Sequence, residues 1–168
     1  MPKREKYTLD LGPFLCLFIF LCFADAADVL PGAILYASNP NQAWSSPNND
    51  FSIHFLPISA STFSLCITYG ASIPIWAPFG GEDDGKSSFR FLSVGNLRLI
   101  NGSGAIVWES NTAHLGVSHA TLENSGNFVL KNGSVSVWRS FEHLADTLVH
   151  SQSFAAGSVL TSGSYSLG

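Results

Sequence analysis

The chain has 168 residues and a formal net charge of −4; 46% of its residues are hydrophobic and only 12% are charged. The apolar content excludes a disordered protein, and the lack of a basic cluster beyond the first six residues excludes a surface for nucleic acid. An average soluble domain carries about 25% charge, and amphipathic helices need charged residues on their wet face. The composition therefore favours one all-β domain of short strands and tight turns.

The first 26 residues have the layout of a secretory signal peptide. Basic residues at positions 3, 4 and 6 precede an apolar stretch, Leu11 to Phe23, and an A-x-A pattern, Ala24 to Ala26. The stretch is shorter than the roughly 20 residues that span a membrane. We predict cleavage after Ala26, a secreted domain over residues 27–168 and no membrane span in the mature chain. The alternative is an uncleaved anchor or a buried helix.

Cleavage would also remove Cys16 and Cys22 and leave Cys66 as the single thiol, so we expect no intramolecular disulfide. Cys66 lies between alternating apolar residues, a pattern that predicts one strand over 63–69. Because no cationic neighbour in the sequence would lower its pKa, we interpret Cys66 as a packed residue rather than a reactive one. An earlier alternating segment, Asn49 to Phe55, begins the same unit.

The four tryptophans organise the rest of the chain. They are Trp44, Trp76, Trp108 and Trp138, at spacings of 32, 32 and 30 residues, and all but Trp76 begin a W-x-S triplet. Such regular spacing predicts a repeat of about 30 residues. Because a single hairpin cannot bury its apolar face alone, we expect three units around a common axis with the Trp and Leu side chains at the centre.

Two of the units align closely, over residues 95–108 and 126–138. Each has an alternating strand, an Asn-Gly turn and a second strand that ends in Trp. Asn-Gly is a strong hairpin signal because both residues tolerate positive φ, and it predicts type I′ turns at Asn101-Gly102 and Asn132-Gly133. No window of the chain predicts a helix.

The ordered motifs resemble the bulb-type (monocot mannose-binding type) lectin domain of plants, as found in S-locus glycoproteins and G-type lectin S-receptor-like kinases. The resemblance covers roughly residues 30 to 168. It is carried by these segments: Trp44 to Ser52, Val107 to Thr112, Ala120 to Leu130, Val137 to His143 and Asp146 to Leu148. It implies a β-prism II fold of three pseudo-threefold, four-stranded subdomains, an extracellular setting and a carbohydrate-binding ancestry.

Sugar-binding members of that family carry a Q-x-D-x-N-x-V-x-Y strand in each subdomain. The segment around Asn127 keeps a partial version, which the resemblance identifies as a partial carbohydrate site. Its five positions are Glu123, Ser125, Asn127, Val129 and Lys131. The segment around Asn96 keeps only the Asn and is interpreted as a degraded site, and the first unit has no version of the motif. For both Asn residues, a role in holding a turn is favoured over sugar contact.

Other polar groups fit simpler interpretations. His143, Asp146 and His150 have helical spacing but lack the ligand set of a zinc site, and the acidic segment Glu82 to Gly85 lacks the alternating ligands of a calcium loop. We therefore predict no metal and no cofactor. No nucleophile, metalloprotease or phosphate-loop motif is present, so we predict that the chain is not an enzyme. Asn101 and Asn132 each begin an N-x-S sequon and are predicted glycosylation sites on hairpin tips.

The sequence thus predicts a secreted lectin-like domain of mannose-binding ancestry with largely degraded sugar sites. The expected partners are mannose-type glycans or glycoproteins and, at the cell surface, other proteins. The alternative is a module that binds proteins and not sugar, a remnant of the ectodomain of an S-domain receptor-like kinase. Because family members continue beyond the position of Gly168, we expect the chain to be truncated near the end of its lectin-like domain.

Overall fold

The computed structural model describes residues 28–70, 72–78 and 83–143. The predicted signal peptide, Gly80 to Glu82, Asp146, His150 and the last part of the chain lie outside the described residues. Twelve strands and one 3-10 turn, Ser140–Glu142, make up the described part. The strands are β1 Ile34–Tyr36, β2 Trp44–Ser45, β3 Phe51–Pro57, β4 Thr62–Tyr69, β5 Ile73–Trp76, β6 Asp83–Asp84, β7 Ser88–Phe91, β8 Leu97–Ile100, β9 Ile106–Glu109, β10 His119–Leu122, β11 Phe128–Asn132 and β12 Val135–Arg139.

The strands form three antiparallel sheets, as the repeat predicts. The first sheet has the order β2-β3-β4-β5, with β6 also paired to β4; the second is β1-β7-β8-β9 and the third is β10-β11-β12. Alternating apolar residues on the inner face of each sheet form one shared hydrophobic core. The all-β prediction is confirmed.

The segment before β3 pairs with an edge of all three sheets. β2 pairs with β3 and β1 pairs with β7, and Val29 forms an isolated bridge to Ala120 at the edge of β10. The backbone N–H groups of Val29 and Ala120 each donate to the other's carbonyl, with N···O distances of 2.8 Å. With this bridge the third sheet also has a fourth chain segment at its edge, in agreement with the predicted four-stranded subdomains.

Three of the four tryptophans meet at the centre of the domain. The ring centroids of Trp76, Trp108 and Trp138 lie 6.2, 5.9 and 6.0 Å apart, and all three pairs meet edge to face. This is a favourable arrangement for aromatic rings. Each ring comes from the last strand of its sheet, so the predicted meeting of Trp side chains at a common axis is confirmed for these three.

Trp44 occupies a different position, although its spacing in the sequence is the same. It comes from β2, at the opposite edge of the first sheet from Trp76. Its ring lies 5.4 Å from Phe89 and 6.1 Å from Phe128. Trp44 therefore packs the core between the other two sheets and does not join the three tryptophans at the common axis.

Both Asn-Gly hairpins form, but neither has the predicted type I′ turn. Positive φ angles fall on Gly104 (86°) and Gly133 (56°), whereas Asn101 and Asn132 have negative φ. The Asn101 side chain explains the first turn, because its Oδ1 accepts from the backbone N–H groups of Ser103 and Ala105 at 3.1 and 2.9 Å. In the second hairpin Asn132 pairs directly with Val135, so Gly133 and the residue after it are the central positions of the turn.

Candidate functional site

The predicted partial site lies at the turn between β10 and β11 and along β11. The backbone N–H of Gly126 closes the turn by donating to the Glu123 carbonyl, and Gly126 has a φ of 86°. A Cβ at Gly126 would lie 2.8 Å from the Phe51 ring, so glycine is required for space as well as conformation. The Ser125 hydroxyl donates to Glu123 Oε2 at 3.4 Å. Glu123 and Ser125 thus form a half-buried polar pair next to Asn127.

The side chain of Asn127 points back into the domain. Its Oδ1 accepts from the hydroxyl of Ser140 at 3.3 Å and from the backbone N–H of Phe141 at 3.2 Å. Asn127 is also 92% buried, with an exposed fraction of 8%. These bonds tie the start of β11 to the segment after β12, which supports the interpretation that Asn127 holds a turn.

The remaining members of the predicted site differ in exposure. Val129 is completely buried, so its apolar surface is not available to a ligand in this structure. Lys131 is half-buried on the same face of β11, opposite His119. The structure therefore leaves Glu123, Ser125 and Lys131 partly exposed and buries the other two members.

Asn96, in the degraded site, is bonded at both ends of its amide. Its Oδ1 accepts from Ser110 Oγ at 2.9 Å and from the backbone N–H of Thr112 at 3.0 Å. Its Nδ2 donates to Glu109 Oε2 at 2.9 Å. Asn96 is buried and these partners use its polar atoms, so the turn-holding interpretation is supported here as well.

The serine of the W-x-S triplet has a structural role that the sequence analysis did not assign. In each case its hydroxyl accepts from the backbone N–H of the residue that begins the neighbouring strand, at 2.9–3.1 Å. The three pairs are Ser46 with Phe51, Ser110 with Leu97, and Ser140 with Phe128. All three serines are buried. The repeated triplet itself was the signal, because a buried hydroxyl at a fixed distance from Trp must satisfy a backbone group.

Trp76 is followed by Ala77 and Pro78, so its hairpin lacks the serine. The equivalent backbone N–H, that of Leu65, donates instead to Asp83 Oδ2 at 3.1 Å. Asp83 comes from β6 and is buried. Burial raises the pKa of its carboxyl group, and the bond from Leu65 opposes that shift. An aspartate from β6 thus replaces the serine that is missing after Trp76.

Asp83→Ala is expected to lower the free energy of unfolding by about 1–3 kcal/mol, because the buried N–H of Leu65 loses its acceptor. Asp83→Asn keeps an acceptor oxygen and removes a charge that burial disfavours, so it is expected to match or exceed wild-type stability at pH 7. Because the pKa of Asp83 is raised in the folded protein, the folded protein binds more protons than the unfolded chain at pH values between the unfolded and the folded pKa. Wild-type stability is therefore expected to fall as pH rises through this interval. Denaturant unfolding of both variants at pH 4 and 7 tests this; equal losses for Ala and Asn would contradict it.

The other predicted groups have the following positions. Cys66 is buried in β4, and burial raises the pKa of its thiol to about 12. Asn101 and Asn132 lie at the ends of their hairpins, where Asn132 Nδ2 donates to the Leu115 carbonyl at 3.3 Å. Within residues 28–70, 72–78 and 83–143, no three His, Cys, Asp or Glu side chains are grouped as metal ligands. In the same residues, no helix is long and apolar enough to cross a membrane.

The three sheets packed around a tryptophan centre define a β-prism II lectin domain. Residues 56–163 match the family described as D-mannose binding lectin, and the chain belongs to that family. A solved structure, the Japanese Marasmius oreades lectin, is similar with a TM-score of 0.51 and 17% identity; the match covers 67% of this chain and 88% of that one. The fold predicted from the sequence is confirmed.

Two curated relatives from Arabidopsis thaliana are G-type lectin S-receptor-like serine/threonine-protein kinases. One is 44% identical over 94% of this chain, and the other is 33% identical over 89% of it. The chain spans only 19% of the length of each relative. The predicted family is confirmed.

Proposed function

We propose that the mature chain is a secreted bulb-type lectin domain of mannose-binding ancestry that has lost most of its affinity for mannose. The observation that carries the proposal is the use of the two motif asparagines within the fold. Oδ1 of Asn96 and Oδ1 of Asn127 each accept at least two hydrogen bonds from the segment that follows the Trp of their own hairpin. An amide oxygen that already accepts hydrogen bonds within the fold contributes little to the binding of a ligand.

The third sheet is where residual sugar binding is expected. Glu123 and Ser125 supply carboxylate and hydroxyl groups at its surface, and Lys131 supplies an ammonium group. Compared with the Q-x-D-x-N-x-V-x-Y pattern, the lysine can only donate and the serine lacks a charged acceptor. A charge-assisted hydrogen bond contributes about 1.5–3 kcal/mol, and a millimolar site has only about 4 kcal/mol in total.

Secretion is supported by the signal-peptide layout of residues 1–26 and by the receptor-kinase relatives. In the structure the first described residues, from position 28, already contact the third sheet. Cleavage after Ala26 would leave this contact intact. The predicted N-glycans at Asn101 and Asn132 would lie on hairpin ends.

Calorimetry of the protein secreted from plant cells, after its intact mass confirms a start at Ala27, tests the proposal. Wild type is expected to bind monomeric mannose with a Kd above 1 mM, which corresponds to a binding free energy of less than about 4 kcal/mol. The triple variant Glu123→Gln, Ser125→Asp, Lys131→Tyr is expected to recover millimolar binding. Tight binding by wild type would contradict the weak affinity, and tight binding that persists in Glu123→Ala would also contradict the choice of sheet.

A second candidate is a protein-interaction module. It is favoured by Tyr69 and Ile73, which pair across β4 and β5 and are 50% and 56% exposed. Mannose-type glycan binding that free mannose competes away on a glycan array would exclude this candidate as the main function.

A further inference from the structure

We propose that the outer face of the second sheet binds an acidic saccharide, one that carries carboxylate or sulfate groups. The proposal goes beyond mannose recognition and does not depend on it, because it concerns the sheet that carries the degraded site of Asn96 and not the sheet with the partial site. Its basis is a row of side chains that crosses the sheet. Arg90 on β7 is directly opposite Arg98 on β8, and Arg98 is directly opposite Glu109 on β9.

The row has an unbalanced charge. Directly opposed residues of antiparallel strands have Cβ atoms about 4.5–5.5 Å apart, and like charges in such a pair repel. Arg98 is paired with Glu109, with an Nε···Oε2 distance of 2.9 Å. The described residues offer Arg90 no ion pair, and its Nε donates to the Ser88 hydroxyl at 2.9 Å. The row therefore holds two guanidinium groups and one carboxylate, and the carboxylate pairs with Arg98.

The nitrogens best suited to bind an anion are the Nη nitrogens of Arg90 and Arg98. Both arginines make their hydrogen bonds through Nε, and within the described residues their Nη nitrogens make none. Glu109 Oε2 accepts from Asn96 as well as from Arg98, so it cannot serve Arg90 through that oxygen. Arginine Nη groups bind carboxylates and related oxyanions through paired bonds. The intramolecular bonds fix both guanidinium groups while leaving these donors available.

An aromatic side chain next to the row indicates a saccharide rather than a small ion. Tyr36 lies on the same outer face, because it pairs with Ser88, two residues before Arg90 on β7. It is 43% exposed. Diagonal neighbours on a sheet are about 7–8 Å apart, which is close to the width of a sugar ring. Tyr36 can therefore contact the apolar face of a ring whose acidic group is bound by the arginines.

The test is calorimetry with four probes at low ionic strength: a galacturonate trisaccharide, a sulfated galactose trisaccharide, the neutral galactose trisaccharide and inorganic sulfate. At least one acidic trisaccharide is expected to bind, and the one that binds identifies the acidic group. The neutral trisaccharide is expected not to bind. Added salt should weaken the binding, because both arginines are partly exposed.

Arg90→Gln should weaken binding of the acidic trisaccharide about tenfold or more by removing a charged donor. Tyr36→Ala should also weaken it, and because Tyr36 is exposed this variant keeps the test valid even if Arg90→Gln does not fold. Arg139→Gln, which removes an exposed arginine from the third sheet, is the matched control and should bind as wild type.

The proposal would be overturned by equal binding of the neutral and acidic trisaccharides, by no binding of either acidic probe, or by an unchanged affinity in both Arg90→Gln and Tyr36→Ala. Sulfate binding as tight as that of the trisaccharides would also overturn it. Because mannose is tested on the third sheet with its own variants, failure here leaves the mannose result unaffected, and the reverse is also true.

Discussion

Trp138→Ala is expected to lower the free energy of unfolding by about 3–5 kcal/mol, the range for removing a large aromatic side chain from a core. Trp138 is 6% exposed. Its ring contacts both other central tryptophans and stacks on His143 at 5.1 Å. A domain of this size has about 5–15 kcal/mol in total, so the variant should melt far lower than wild type or fail to fold.

Denaturant unfolding followed by far-ultraviolet circular dichroism measures this effect without using tryptophan fluorescence, which the substitution itself changes. Val135→Ala is the matched control, since Val135 begins the same strand but is 62% exposed. It should change stability by no more than about 0.5 kcal/mol. A similarly small loss in Trp138→Ala would show that the tryptophan centre is peripheral to stability.

The sequence predicted the parts of the fold that local patterns encode. Alternating apolar residues predicted β3, β4, β8 and β11, and the regular spacing of the four tryptophans together with the two aligned hairpins predicted three units around one axis. The strands are long enough for the alternation of apolar residues to be recognised. The tryptophans recur often enough for their period to be recognised. The resemblance to a lectin family then supplied the number of strands in each subdomain.

The parts that were not predicted depend on contacts between distant segments. β2 has two residues and Val29 contributes a single bridge, so neither is long enough to show a period. Asp83 replaces a serine through a bond to Leu65, 18 residues earlier, and no local pattern connects the two residues. The complete burial of Val129 is likewise set by tertiary packing, because the alternation alone places it on the same face as Lys131.

Asn96→Ala is expected to lower the free energy of unfolding by about 2–3 kcal/mol. The substitution removes the acceptor of the Thr112 N–H, which lies in a buried residue, and leaves a buried donor unsatisfied, which alone costs about 1–3 kcal/mol. It also removes the acceptor of the Ser110 hydroxyl and the donor to Glu109. Thermal and denaturant unfolding measure the loss, with Asn41→Ala, at an exposed position, as the control within about 0.5 kcal/mol of wild type.

The sign of this effect separates a structural asparagine from a ligand-binding one. Residues kept for binding commonly cost stability, so replacing them leaves stability unchanged or raises it. Asn96→Asp sharpens the distinction, because it keeps the acceptor oxygens for Ser110 and Thr112 but places a negative charge 2.9 Å from the Glu109 carboxylate. We expect the Asn96→Asp variant to be less stable than wild type near pH 7. The difference should be smaller in acid, where the repulsion between the two carboxylates is removed by protonation. If the Asn96→Ala variant is as stable as wild type, the amide of Asn96 is to be assigned to ligand binding rather than to the turn.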